Sequence, residues 1–174
     1  APDTTFNDLG TLDTHTATIN WGDGTDTEAG AVTETPFGPP GSPLGMDGTV
    51  AGSHVYADNG TYTVTVRVTD DDGGWVESFF DVTITNELPT IDAGGDQTVE
   101  EMELVDISAA FNDLGTLDTH VAWIDWGDGN VTDPAMVNET PFGPPGSTSG
   151  LDGTVTGTHA YADDGPYTVT VYIR

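Results

Sequence analysis

The chain has 174 residues, in which 30 Asp and Glu face only 2 Lys and Arg, giving a formal net charge of −28 at pH 7. Nucleic acids and anionic membranes are recognised through clustered cations, so this charge excludes both as partners. The lack of cysteine excludes disulfides, thiol catalysis and cysteine-bound zinc. No apolar run approaches the ~20 residues of a membrane helix, so we expect no membrane insertion.

The sequence repeats itself at an interval of 105 residues. Residues 6–69 align with residues 111–174 without a gap, and 43 of the 64 aligned pairs are identical. A repeat of this length is a whole domain rather than one turn of a solenoid. We therefore predict two domains, 1–86 without its first strand and 87–174 without its last strand, as a slice of a longer tandem array.

Strands are predicted where apolar and polar residues alternate with period two. Four segments show this alternation clearly: Thr14–Trp21, Tyr62–Val68, Trp75–Thr85 and Leu104–Phe111. Turns rich in Gly and Pro separate them, and no stretch has the 3.6-residue period of a helix. This pattern predicts an all-β fold of two tandem Ig-like antiparallel β-sandwiches, each with about seven strands. Asp58-x-Gly60-x-Tyr62 and its copy at residues 163–167 are typical of tyrosine corners.

Motifs in both copies resemble the PKD domain, the polycystic-kidney-disease type of Ig-like sandwich. The first copy has WGDG at Trp21–Gly24, then His54, Tyr56 and Gly60–Val66, and the second copy repeats the set at Trp126–Gly129, His159, Tyr161 and Gly165–Val171. A Pro-rich insert around TPFGPPGS departs from the family pattern. The resemblance implies non-catalytic, often tandem modules of a bacterial or archaeal extracellular repeat protein or a secreted hydrolase. In some members a calcium ion rigidifies one pole of the sandwich.

Acidic loops that share one pole of each predicted sandwich form the candidate metal site. Calcium takes six to eight oxygen ligands, and uncompensated carboxylates at close range repel one another. The predicted ligands are Asp8, Asp13, Asp70, Asp71 and Asp72 in the first copy, and Asn86, Glu87, Asp113 and Asp118 in the second. The alternative is that these residues are solvated turn carboxylates that bond to backbone amides.

Two other polar groups have both a structural and a functional interpretation. The run from Asp23 to Glu28 partly matches a calcium-loop spacing, but the second copy loses the second carboxylate, which favours a plain turn. Four histidines, His15, His54, His120 and His159, have no partner in a catalytic motif. Structural imidazoles bonded to nearby backbone are therefore favoured. We predict no catalytic residue and expect that the chain is not an enzyme.

Outward-facing aromatic residues form the candidate interface. If Trp126 points inward, Trp123 points outward, where the first copy has Thr18. Tyr172 likewise points outward on a neighbouring strand. Trp75 and Phe79 lie on the outward register of the last strand. Such residues indicate a subunit contact or a sugar-stacking surface, unless the Pro-rich insert covers them locally.

The second copy ends before a counterpart of Trp75–Thr85, which leaves the edge beside Tyr167–Ile173 unpaired. An open edge of alternating Val and Thr invites another strand. We expect this strand either from covalent continuation of the chain or from a neighbouring subunit.

These observations predict a non-catalytic structural or adhesive repeat of an extracellular surface protein or filament, rigidified by calcium. Its partners would be copies of itself or adjacent repeats of the same chain. The alternative is a carbohydrate- or polymer-binding accessory module of a secreted hydrolase, with a surface polysaccharide as partner. Either interpretation places the chain outside the cell or on its surface.

Overall fold

The structure is a computed structural model that describes residues 4–35, 43–140 and 149–174. The chain divides into two compact units, residues 1–84 and 85–174. Within the described ranges every regular element is a β-strand, and every strand pair is antiparallel. For these ranges the prediction of an all-β fold without helices is thus confirmed. The described residues contain no helix that is long and apolar enough to cross a membrane.

The described residues of the first unit form one sheet of six strands in the order β1-β4-β3-β2-β5-β6. The strands are β1 (Thr4–Asp8), β2 (His15–Asn20), β3 (Glu28–Glu34), β4 (Met46–Ala51), β5 (Gly60–Asp70) and β6 (Trp75–Ile84). The first half of β3 pairs with β2 and its second half pairs with β4. At this change of partner, a Cβ on Gly30 would lie 2.6 Å from Val50 Cγ1, so a larger residue would require the Val50 side chain to shift.

The core of the first unit comes from the faces that alternation predicts. Ala17, Ile19 and Trp21 are buried together with Val50 and with three valines of β5. The tyrosine corner also forms, because the Tyr62 hydroxyl donates to the Asp58 carbonyl at 3.0 Å. The period-two pattern therefore identified the buried face of these strands correctly.

In the described part of the second unit, seven strands form two sheets with the orders β10-β9-β13 and β11-β12-β8-β7. The strands are β7 (Thr90–Asp92), β8 (Leu104–Asp113), β9 (Ala122–Asp125), β10 (Val131–Thr132), β11 (Met136–Glu139), β12 (Leu151–Ala160) and β13 (Thr170–Ile173). The counterpart of β3, residues 133–139, is a strand only from Met136 onward, as β11, and Pro134, which has no amide hydrogen for the ladder, lies between β10 and β11. The core of the second unit includes Phe111, Ile124, Trp126 and Val155.

The two copies differ in the length of β5 and of its counterpart β13. β5 has eleven residues and forms ten pairs with β6, whereas its counterpart β13 has only four residues. Among the described residues β13 pairs with β9 alone. The tyrosine corner that precedes it is nevertheless intact, since the Tyr167 hydroxyl donates to the Asp163 carbonyl at 3.1 Å.

Candidate functional site

His15 bridges two carboxylates that come from two other strands. Its Nδ1 lies 2.9 Å from Glu34 Oε1 at the end of β3, and its Nε2 lies 3.3 Å from Asp8 Oδ2 at the end of β1. The backbone N–H of His15 also donates to Glu34 Oε1 at 3.0 Å. The imidazole is 3% exposed, so this polar clamp joins three strands inside the protein.

The second unit repeats the clamp with nearly the same distances. His120 Nδ1 lies 2.7 Å from Glu139 Oε1, and its Nε2 lies 3.1 Å from Asp113 Oδ2. The side chain of Asp113 is only 2% exposed and also accepts a hydrogen bond from the backbone N–H of Gly115. We call these two groups, Asp8–His15–Glu34 and Asp113–His120–Glu139, the carboxylate–histidine clamps.

Protonation of the clamps follows from their hydrogen bonds. Burial opposes charge on His15 and His120, but the carboxylate partners outweigh it and raise the pKa of both imidazoles. The backbone N–H of Gly10, with help from His15, lowers the pKa of Asp8. The histidines therefore stabilise the folded state at a pH below the pKa that they have in the unfolded chain, and this stabilisation is lost as the pH rises. The stabilisation from Asp8 has the opposite dependence and is lost as the pH falls. The clamps should be strongest at mildly acidic pH.

The other two histidines anchor the WGDG turns. His54 Nε2 lies 2.8 Å from Asp23 Oδ2, and its ring stacks on Trp21 with centroids 5.0 Å apart. In the second unit, His159 Nε2 likewise lies 2.8 Å from Asp128 Oδ2. Asp23 Oδ1 accepts the backbone N–H of Thr25 at 3.1 Å, as the plain-turn interpretation predicts.

The WGDG turn of the second unit has a further hydrogen-bond donor in Asn130. Its backbone N–H, and next its side chain, lower the pKa of Asp128 to about 2. The prediction that the histidines bond to nearby backbone was wrong, because each of the four has at least one ring nitrogen against a carboxylate.

The predicted calcium ligands of the first copy gather around Asp13. Desolvation, followed by the neighbouring carboxylates of Asp8, Asp71, Asp72 and Asp70, raises the pKa of Asp13. Two of these carboxylates also bond to backbone: Asp70 Oδ1 accepts the Gly74 N–H of its own turn at 2.7 Å, and Asp71 Oδ1 accepts the N–H of Thr14, in another loop, at 3.1 Å. No three of them place ligand oxygens within 4.8 Å of one another in the described ranges.

The predicted ligands of the second copy are spread over the same pole. Asn86 and Glu87 are exposed and lie just before β7, whose Thr90 pairs with Asn112 next to Asp113. Asp113 is committed to its clamp, and the Asp118 carboxylate lies over Gly115. Within the part of the chain that the structure describes, Glu87, Asp113 and Asp118 do not form a compact ligand group.

A different acidic group was missed by the sequence analysis. Glu101, Asp163 and Asp164 are exposed, and each offers a carboxylate oxygen within 4.8 Å of the others. Glu101 lies in a segment that has no counterpart in the first copy, so comparison of the repeats could not reveal it. The sequence held one signal of this acidic group, because Asp164 stands where the first copy has Asn59.

The four aromatic residues of the predicted interface lie on outward faces. Trp123 and Tyr172 are directly opposite on β9 and β13, and their rings stack with centroids 4.9 Å apart. On β6, Trp75 is 61% and Phe79 is 74% exposed, and the Arg67 guanidinium lies 4.3 Å above the Trp75 ring. The Pro-rich inserts that could cover them, residues 36–42 and 141–148, lie outside the described residues. The role of the four aromatic residues as an interface stays a prediction.

Comparison with known families supports the resemblance in the first unit. Residues 45–84, which contain β4 to β6, match the family model of the PKD domain. PKD domains are typically non-catalytic modules and are usually extracellular. No curated protein matches the chain.

Proposed function

We propose that the chain is a non-catalytic structural or adhesive repeat of an extracellular surface protein or filament, made of two tandem PKD-like domains. The carboxylate–histidine clamps carry this proposal. Both ring nitrogens of His15 and of His120 bond to carboxylates of other strands, so these acid–base groups serve to hold strands together. Antibody labelling of intact cells of the source organism tests the location, and labelling only after lysis would contradict it.

Rigidification by calcium belongs to the same proposal and is supported by the surroundings of Asp13. Four other carboxylates lie close enough to raise the pKa of Asp13 in addition to the effect of desolvation. A divalent cation would relieve this repulsion, and the net charge of −28 favours its uptake. The exposed carboxylates around Asp13 could reorient around an ion more easily than the buried carboxylate–histidine clamp.

Calcium should raise the melting temperature of the chain. An ion that binds only the folded state stabilises it by RT ln(1 + [L]/Kd), which is about 2.7 kcal/mol at a hundredfold excess over Kd. Calorimetry in chelator and in millimolar calcium measures this difference. Asp13→Asn should weaken the response of the first unit and Asp118→Ala that of the second, while Asp26→Asn, an exposed carboxylate on the WGDG turn, serves as the matched control. An unchanged melting temperature would remove calcium from the proposal.

A carbohydrate- or polymer-binding accessory module is the second candidate function. The exposed rings of Trp75 and Phe79 favour it, since exposed aromatic rings can stack on sugars. Affinity electrophoresis in polysaccharide gels should then show retardation that Trp75→Ala, Phe79→Ala or Trp123→Ala reduces. Leu9→Ala, at a site that is 74% exposed, is the control for loss of a surface apolar group. Equal mobility of all variants in every gel would argue against this candidate.

A further inference from the structure

Phe79 is the most exposed of the four outward aromatic residues, at 74%. Among the described residues it is also the one of the four that has neither a stacked ring nor a cation over it. Trp75 lies under the guanidinium of Arg67, and Trp123 stacks on Tyr172. The Phe79 ring is therefore accessible to a partner.

The neighbouring Trp75 shows what an outward ring binds in this chain. The Arg67 guanidinium lies 4.3 Å above the Trp75 ring, and its Nε and one terminal nitrogen each lie 2.8 Å from Glu77 Oε1. Arg67 stands directly opposite Glu77 on β5. A guanidinium is thus held between an aromatic ring and the carboxylate two residues further along β6, where cation–π attraction and an ion pair act together.

The next two outward residues of β6 repeat the ring and the carboxylate without the cation. Phe79 and Asp81 have the same spacing as Trp75 and Glu77, and residues two apart on a strand share one face. On β5, however, Thr63 stands opposite Asp81, and its hydroxyl donates to Asp81 Oδ1 at 2.7 Å. Because threonine has no charge, β5 supplies no cation to this second pair of ring and carboxylate.

The cationic side chains of the chain are all engaged elsewhere. Lys and Arg together number 2, and both are arginines. Arg67 is bonded to Glu77, and Arg174 lies 5.8 Å from the centre of the Trp123 ring. Each of the four histidines lies against a carboxylate. A cation for Phe79 must therefore come from a different molecule, and the net charge of −28 favours the approach of a basic one.

We propose that Phe79 and Asp81 bind an arginine side chain of a partner polypeptide. The guanidinium lies on the Phe79 ring and bonds to the Asp81 carboxylate, in the arrangement that Arg67 has with Trp75 and Glu77. Arginine fits better than lysine, because its planar group stacks on rings and is more weakly hydrated. This contact goes beyond the proposed function and does not rest on it, since neither the location of the chain nor its response to calcium involves the Phe79 ring.

A labelled peptide that alternates arginine with threonine tests the proposal against the full chain. Fluorescence anisotropy at about 0.15 M salt should show binding, and added salt should weaken it because the contact is ionic. NMR should show shifts of the Phe79 ring protons when the peptide is added. The same peptide with lysine in place of arginine should bind at least about twofold more weakly.

Two pairs of variants separate this contact from the general attraction of cations to an acidic chain. Phe79→Leu keeps an apolar side chain but removes the ring, and it should weaken binding of the arginine peptide about two- to fivefold. Leu9→Ala, at a position that is also 74% exposed, should leave binding unchanged. Asp81→Asn and Asp26→Asn each remove one exposed carboxylate, and only Asp81→Asn should weaken binding by about twofold or more.

Three results would overturn the proposal. Equal affinity of the wild type and Phe79→Leu for the arginine peptide would show that net charge alone attracts it. Equal affinity of the arginine and lysine peptides would show that the face does not select a guanidinium. A neutral glucan or an amino-sugar oligomer that shifts the Phe79 ring protons and displaces the peptide would assign the ring to a polysaccharide instead.

Discussion

Replacement of Trp126 by alanine should destabilise the second unit by about 3–5 kcal/mol, a large part of the stability of a small domain. The indole is 1% exposed in the centre of the core and stacks on His159 with ring centroids 5.0 Å apart. Its Nε1 also donates to Thr132 Oγ1 at 3.0 Å, so the variant loses a hydrogen bond as well as packing. Denaturant titration followed by NMR signals of the second unit measures the change.

Trp123→Ala is the matched control, because the same residue type stands three positions earlier on the outward face. Loss of its stack on Tyr172 should cost about 0.5–1.5 kcal/mol. Signals of the first unit should keep their wild-type midpoint in both variants if the two units unfold independently. A Trp126→Ala variant as stable as Trp123→Ala would show that the inward register of β9 is wrong.

The buried faces could be predicted from the sequence because they depend on local alternation. Ala17, Ile19 and Trp21 recur every second residue, and a pleated strand sends such residues to one side. The tyrosine corners were also predictable, since the Tyr62 hydroxyl and the Asp58 carbonyl are separated by four residues. Both features need only a short stretch of chain to be recognised.

The clamps could not be predicted in this way, because Asp8, His15 and Glu34 meet only through the pairing of distant strands. Among many acidic residues, nothing local marks Glu34 as the partner of a histidine 19 residues away. Comparison of the copies offered only a weak signal. Glu34 and its counterpart Glu139 follow a segment in which most residues differ, but the eight residues after them are identical too.

The sequence predicted which acidic loops share one pole of the sandwich, but it did not predict the hydrogen bonds that their carboxylates make. Strand topology brings Asp13 near Asp70, Asp71 and Asp72, as the loop positions of a sandwich require. The sequence could not show that Asp8 and Asp113 bond to buried imidazoles. An aspartate that already has a charged or hydrogen-bonding partner binds a cation less readily, so the exposed members of the pole are better candidates for calcium.

Replacement of His120 by leucine should destabilise the second unit by about 3–5 kcal/mol, because breaking a buried pair leaves a carboxylate without its partner. Asp113, with a side chain that is 2% exposed, would keep its backbone hydrogen bond but lose the imidazole. His120→Gln should recover part of this loss, since its amide can still donate to one carboxylate. His159→Leu is the control, because Asp128 is 17% exposed and water can replace the lost partner.

The pH profile separates this role of His120 from its contribution to packing. Because the folded state raises the pKa of His120, its stabilising charge is present below about pH 6.5 and is lost as the pH rises through the folded value. The unfolding free energy of the wild-type second unit should therefore fall as the pH rises above about 6.5, the usual pKa of histidine. In His120→Leu this fall should flatten. An equal slope in His120→Leu and wild type would assign the pH dependence to the repulsion within a chain of net charge −28, and not to the clamp.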